Sequence, residues 1–275
     1  MQHLIGCVAV PLFTAFVGLV SLQPALAQAT EVVDLPTRPG QSMRLLLLKP
    51  AGKPEASVIL LAGGHGNLQL SKSGSIGWGK NNQLVRTRAD YAKVGFLTAV
   101  PDIAPDLKRG EGGVPRYRWS DAYATDIGAL VKHLRGQSAP VYLVGTSRAA
   151  LSVAKAAVQL TGEEKPDAIV ITSGMLMHVD GTQPSAQRNV GRLERITQPA
   201  FIVFHSEDRC RYSPASSAEK FKALLTKAAK VDIKTLSGGT NTGGNPCEAN
   251  THHGFEGQDA ELVRLVSDWL KALPK

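Results

Sequence analysis

Six short apolar runs, each stopped by glycine, proline or a small polar group, constrain this chain more than any other feature. Val58-Ile59-Leu60-Leu61 runs into Gly63-Gly64, and Phe96 to Val100 stops at Pro101-Asp102. Val141 to Val144 stops at Gly145, and Ala168 to Ile171 at Ser173-Gly174. Phe201 to Phe204 ends at His205, and Val231 to Leu236 just before Gly238. Runs this short and apolar predict strands buried on both faces, as in a parallel sheet. Helical patterns lie between them. Ile127, Leu130, Val131 and Leu134 share one face, with Gly136 at the stop. Leu262, Val266, Trp269, Leu270 and Leu273 mark a last helix, and Ser213-Pro214 reads as an N-cap followed by proline at the first helical position. Residues 31–49 predict one or two leading strands, with Met43 to Leu48 the clearer. The alternation predicts an α/β fold with a mostly parallel central sheet of about eight strands, flanked by helices. No internal repeat or long linker divides it. The segment Met175 to Thr197 is short for an inserted cap, so no large cap domain is expected. A content of 43% hydrophobic and 20% charged residues excludes disorder, collagen and coiled coil.

The first thirty residues contain no Lys, Arg, Asp or Glu. Their apolar stretch, Leu4 to Val20, is followed by Pro24-Ala25-Leu26-Ala27, and Ala25 and Ala27 fit the small-residue rule for signal peptidase. Residues 1–27 are therefore expected to be a signal peptide, and 28–275 a single exported domain, periplasmic or secreted. An uncleaved anchor is the alternative, disfavoured because Pro11, Gly18 and Pro24 interrupt a run that a spanning helix needs unbroken for about 20 residues. Cleavage removes Cys7 and leaves Cys210 and Cys247 of the 3 cysteines. Two cysteines in an exported chain predict one disulfide, against the alternative of two buried thiols.

In open α/β sheets, sites form beyond the carboxyl ends of the strands. Four such ends carry chemistry here. Gly145-Thr146-Ser147-Arg148-Ala149 is a G-x-S-x-A variant of the nucleophile elbow, in which a sharp strand-to-helix turn exposes the serine. Small residues two before and two after Ser147 let the backbones approach. Gly63-Gly64-His65-Gly66-Asn67 is a glycine-rich turn able to aim backbone N–H groups at an oxyanion; a plain turn is the alternative. It lacks the G-K-[ST] ending of a phosphate loop. After the Phe201 run comes His205-Ser206-Glu207-Asp208, where Asp208 is the preferred carboxylate and Glu207 or Asp180 the alternatives. After the last strand comes Thr251-His252-His253-Gly254, where His253 is preferred to His252 as base and Gly254 would let the chain turn. A base of this kind takes the serine proton while the carboxylate fixes its tautomer.

These residues resemble the α/β-hydrolase superfamily, in particular small exported bacterial serine esterases. The resemblance covers about residues 43–273. It places Gly63–Asn67, Ser147, Asp208 and His253 after the third, fifth, seventh and eighth strands. It implies a hydrolase that cleaves a carboxylic ester through a Ser147-His253-Asp208 triad and an acyl-enzyme. It also implies that the oxyanion sits between the backbone N–H groups of Arg148 and Asn67, beside His65 and Gly66. Ala149 in place of glycine, and a charged Arg148, depart from the usual elbow. A peptidase, thioesterase or dienelactone-type hydrolase is an alternative within the class, and a non-catalytic binding protein of the same fold an alternative outside it. A Cys210–Cys247 bridge would tie the acid loop to the histidine loop.

The remaining features bear on partners. A charge of +8 suits an anionic partner, but no nucleic-acid motif accompanies it. Lys108, Arg109, Arg116 and Arg118 fall in one loop, Ile103 to Trp119, which would form one wall of the site; Leu68 to Lys80, with Trp78, would form another. Those cations would draw an anionic substrate or surface, or else stand solvated. Ser152-Val153-Ala154-Lys155 and Ser217 to Lys220 match S-x-x-K, but the S-D-N and K-T-G partners of a penicillin-recognising enzyme are missing. No metal is expected, because H-E-x-x-H and a second ligand cluster are absent from the sequence. The expected partner is a small-molecule acyl substrate, with no cofactor.

Overall fold

The structure is a computed structural model that describes residues 3, 30–108, 116–181 and 183–274. The expected signal peptide and Arg109 lie outside the described residues, except for His3. Eight strands form one sheet: β1 (Thr30–Arg38), β2 (Gln41–Leu48), β3 (Ala56–Leu61), β4 (Phe96–Pro101), β5 (Val141–Thr146), β6 (Ala168–Thr172), β7 (Ala200–His205) and β8 (Val231–Leu236). Their order is β1-β2-β4-β3-β5-β6-β7-β8. β1 pairs antiparallel with β2, and β2 with β4; every other pairing is parallel. Strand order reverses between β4, β3 and β5, and ligands in such sheets bind at that switch point.

Side-chain alternation explains why the central runs are apolar throughout. Ile59 and Leu61, Val141 and Leu143, Ile169 and Ile171, and Ile202 and Phe204 enter one layer. Val58 and Leu60, Tyr142 and Val144, Ala168 and Val170, and Phe201 and Val203 enter the other. Helices α3 (Asp121–Arg135), α4 (Ala150–Gln159) and α5 (Ser217–Leu224) cover the first layer. Helices α1 (Gln83–Arg86), α2 (Arg88–Lys93) and α6 (Asp259–Lys271) cover the second. Only short turns separate β6 from β7, so no large cap covers the sheet's carboxyl end.

Two expectations need correction. β8 is an edge strand, and Asp232, Ile233, Lys234 and Thr235 are partly or fully exposed, so it is not a doubly buried run. Ser213 does not cap a helix: α5 starts at Ser217 behind Ser216. Ser213 is instead fully buried, with its hydroxyl turned to the site described below.

Two ion pairs, both from Arg38, tie the leading hairpin to the core. Arg38 donates from Nε and Nη2 to the Asp126 carboxylate on α3, at 2.7 and 3.0 Å, and from Nη1 and Nη2 to Asp106, both at 2.9 Å. The Asp126 side chain has no solvent exposure. Removing Arg38 would leave a buried, uncompensated carboxylate, a change that costs about 3 kcal/mol in such pairs. Arg38→Met is expected to lower stability by about that amount in urea unfolding, and Arg38→Met/Asp126→Leu to recover much of it. A fall below about 0.5 kcal/mol in the single variant would contradict the anchoring role.

Candidate active site

The turn after β5 is built around close approach. A Cβ added at Gly145 would lie 2.5 Å from Val153 Cγ2 on α4, so no larger residue fits. Ala149 is fully buried, so the methyl that replaces the usual second glycine is accommodated. Between them Ser147 sits at φ 55°, in the left-handed region. A side chain there costs about 1–2 kcal/mol, and here the strand and helix on either side hold it. Residues 147–149 form one 3-10 turn before α4 begins.

His253 reaches Ser147 from the far side of the sheet end. Its Nε2 lies 2.9 Å from Ser147 Oγ, and its Nδ1 lies 2.9 Å from Asp208 Oδ2. The Asp208 side chain is fully buried, and its Oδ1 accepts the Cys210 N–H at 2.8 Å. Ser213 Oγ stands 3.1 Å from His253 Nδ1 and 3.4 Å from Asp208 Oδ2. A proton on Nδ1 facing the carboxylate leaves Nε2 free to accept from the serine hydroxyl. The structure thus brings Ser147, His253 and Asp208 into one hydrogen-bonded line, while Glu207 and Asp180 are exposed. Gly254 is required for packing and not for a turn: a Cβ there would meet Ala249 O at 2.0 Å, and Phe255 takes the left-handed conformation instead.

The acid and base loops are fixed to each other. Cys210 and Cys247 are joined in a disulfide that spans 37 residues. His205 stacks on His252 at 4.5 Å. Glu207 lies with these two histidines in a group whose ligand atoms fall within 4.8 Å. Both ring nitrogens of His205 are already used. Nδ1 accepts the Glu207 N–H at 3.1 Å, and Nε2 donates to Gly238 O at 2.9 Å. That ring is a clamp between loops, with no lone pair left for a cation.

The glycine loop differs from expectation in one donor. The Asn67 N–H is committed to His65 Nδ1 at 3.1 Å. Gly63 is the residue against Ser147: a Cβ on it would lie 3.1 Å from Ser147 Cβ. The amides of Gly63 and Gly64 have no acceptor among the described residues. Gly64 and Gly66 have φ of 56° and 69°, and a Cβ on either would strike Trp78 or Arg118. His65 lies over Trp78 with centroids 3.6 Å apart, so the glycine loop packs on the expected wall residue.

Three residues to which the sequence pattern assigns no such role hold this loop. Arg118 is 1% exposed, and its Nη2 donates to Ala62 O, Gly63 O and Gly64 O at 2.6, 2.9 and 3.1 Å. Tyr117 donates its hydroxyl to His65 O. Asp102, buried at the end of β4, accepts the N–H groups of Leu68, Leu70 and Ile103 and the Lys108 ammonium. The basic loop is therefore not a uniform solvated wall. Lys108 is paired, Arg118 is buried and Arg116 is exposed.

No protein-family model matches the sequence, and no curated protein matches it. Solved structures do. An esterase of Pyrococcus furiosus is 15% identical, with 89% of this chain and 90% of that chain covered and a TM-score of 0.60. An alpha-beta serine hydrolase homologue from Coxiella burnetii is 18% identical over 88% of this chain and 97% of that chain, with a TM-score of 0.56. A dienelactone hydrolase from Anabaena variabilis is 13% identical over 90% and 99%, with a TM-score of 0.60. The chain has the α/β-hydrolase fold.

The site yields two predictions. Cys210→Ser/Cys247→Ser is expected to lose about 3–4 kcal/mol in denaturant, the chain-entropy value for a loop of 37 residues; an unchanged midpoint would contradict it. The second concerns His65. Burial, then the Arg118 and Arg148 charges, hold it below its ordinary 6.5. A depressed histidine contributes stability that is present above the unfolded value and lost as pH falls. Stability is therefore expected to decline as pH drops below 6.5, and His65→Phe to flatten that decline. Equal slopes for the two proteins in pH-dependent unfolding would refute it.

Proposed function

We propose that the protein is an exported serine hydrolase that cleaves a carboxylic ester through an acyl-enzyme. The observation that carries this reading is the line from Ser147 Oγ through His253 to Asp208, with both links at 2.9 Å. His253 Nε2 takes the Ser147 proton as the hydroxyl attacks the carbonyl carbon. The C–O bond to the alcohol then breaks, and the same proton passes to the leaving alkoxide. Water enters, gives a proton to Nε2 and attacks the acyl-enzyme; the acid leaves and Ser147 recovers its proton. Asp208 stabilises the transient imidazolium, and Ser213 holds both partners in place.

In this mechanism Gly64 replaces Asn67 as the loop donor to the oxyanion, opposite the Arg148 N–H. Two observations support the exchange: the Asn67 amide is occupied, and the Gly63–Gly64 amides are unspent beside Ser147. Arg118 holds the carbonyls of Ala62 to Gly64 on the opposite side of those peptides. Such donors contribute about 2.7–4 kcal/mol each to transition-state binding. Export is supported by the leader pattern of residues 1–27 and by the disulfide, a bond that persists in oxidising compartments. Among the described residues, no helix is long and apolar enough to cross a membrane.

A fluorophosphonate probe is expected to label the wild type at Ser147, and Ser147→Ala to abolish both labelling and turnover of p-nitrophenyl esters. Asp208→Asn is expected to lower kcat on the order of 10⁴-fold, because the imidazole loses its tautomer. Labelling and turnover that survive in Ser147→Ala would overturn the reading.

A further inference from the structure

Arg148 follows Ser147 directly and is half-buried. Its Nε is buried without a hydrogen-bond partner, and no carboxylate among the described residues lies within ion-pair distance. Arg118 stands behind it. That guanidinium is almost wholly buried, and its Nη2 donates to Gly63 O, on the residue that rests against Ser147. Its Nε also lacks a partner, and it too has no carboxylate. Arg118 and Arg148 are close enough to repel each other; Tyr117 lies under the Arg118 face at 5.3 Å, and His65 packs against Trp78. Lys108, in the same loop, differs in having its counter-ion in Asp102.

Burying uncompensated positive charge is costly, and a buried donor left unpaired adds about 1–3 kcal/mol more. Burial first, and then the Arg118 charge, push the Arg148 guanidinium below its usual range. Burial first, and then the same two arginine charges, lower the His65 imidazole below its ordinary value. Carbonyl oxygens satisfy Arg118 in part. Among the described residues, no carbonyl oxygen is hydrogen-bonded to the Arg148 side chain. Arg148 thus keeps a donor without a partner among the described residues, on the residue that follows Ser147.

We propose that the ester cleaved at Ser147 carries a carboxylate, and that Arg148 binds that carboxylate through its guanidinium, with Arg118 supplying a fixed positive field behind it. This rests on the hydrolase reading and narrows its substrate class. Arg148 acts here as a specificity residue through its side chain, apart from its backbone N–H. A planar fork suits a carboxylate better than an ammonium does.

Two pairs of esters separate the acyl side from the alcohol side. Mono-p-nitrophenyl succinate is compared with p-nitrophenyl butyrate, and 4-acetoxybenzoate with phenyl acetate. The wild type is expected to prefer the charged member of at least one pair in kcat/KM, chiefly through KM, and to lose that preference as NaCl rises. Arg148→Gln is expected to reduce the charged-to-neutral ratio about tenfold or more, and Arg148→Lys to retain part of it. Because each ratio is taken within one protein, a general loss of activity does not mimic it. If Arg148→Gln does not fold, succinate and benzoate are tested on the wild type as inhibitors of p-nitrophenyl butyrate turnover, against succinamide and benzamide. Competitive inhibition by the carboxylates alone supports the proposal; equal effects overturn it. No preference in either pair, or a preference that Arg148→Gln keeps, also overturns it. A wild type that labels at Ser147 and turns over neutral esters without preference leaves the hydrolase standing and removes only the carboxylate. Absence of both labelling and turnover removes the hydrolase reading itself.

Discussion

Side chains of β3, β5, β6 and β7 enter two apolar layers in alternation, so these strands have no wet face along their length. Their backbone groups are satisfied by the neighbouring strands, and their polar chemistry is confined to the ends, where pairing stops. At those ends the chain has to turn away at once, since another apolar residue would have no layer to enter. Ser147, the Gly63–Gly66 turn, Asp208 and Asp102 all lie within a few residues of such a stop. The sheet does more than carry these groups. Parallel pairing sets β3, β5, β6 and β7 in register, so their ends converge on one edge.

Convergence alone would leave loose loops, and each loop is fixed from behind by a group that spends its hydrogen bonds on backbone. Arg118 collects three successive carbonyls under the glycine turn. Asp102 collects three N–H groups just beyond it. His205 pins the acid loop to Gly238, and the disulfide joins that loop to the histidine segment. Charges buried in this way are useful where several strong donors or acceptors meet at one point, since most of the lone pairs and protons then have partners. Arg148 is the exception in this set, and that contrast gives its unspent donors their meaning.

Much of the fold was legible because it is written in apolar runs. The runs at Val58, Phe96, Val141, Ala168 and Phe201 all became strands, and Ile127 to Leu134 became the buried stripe of α3. Ser147, Asp208 and His253 were legible as residues because a strand end exposes the side chains just beyond it. Their mutual distances were not, since these depend on how loops from three strands fold over one another. Ser213 was misread because serine before proline satisfies a local capping rule, and only tertiary contact shows its hydroxyl facing His253. Arg118 was grouped with solvated charge because sequence pattern does not report burial of a cation under three carbonyls. The Asn67 amide, expected as a donor to the site, instead bonds the neighbouring His65 side chain, and such a local competition has no periodic signature.

The histidine turn has a second anchor on the opposite layer. Arg86 donates to Ala249 O at 3.0 Å, Gly254 O at 2.7 Å and the Asp259 carboxylate at 2.8 Å, across 163, 168 and 173 positions of chain. Links of such span close late, because the ordering of long loops precedes any return from the contacts they make. A ribosome would have delivered the serine turn, the glycine loop and the acid well before the base and the helix that braces it. A chain cut short of residue 253 would keep the elbow and lack the imidazole that hydrogen-bonds Ser147.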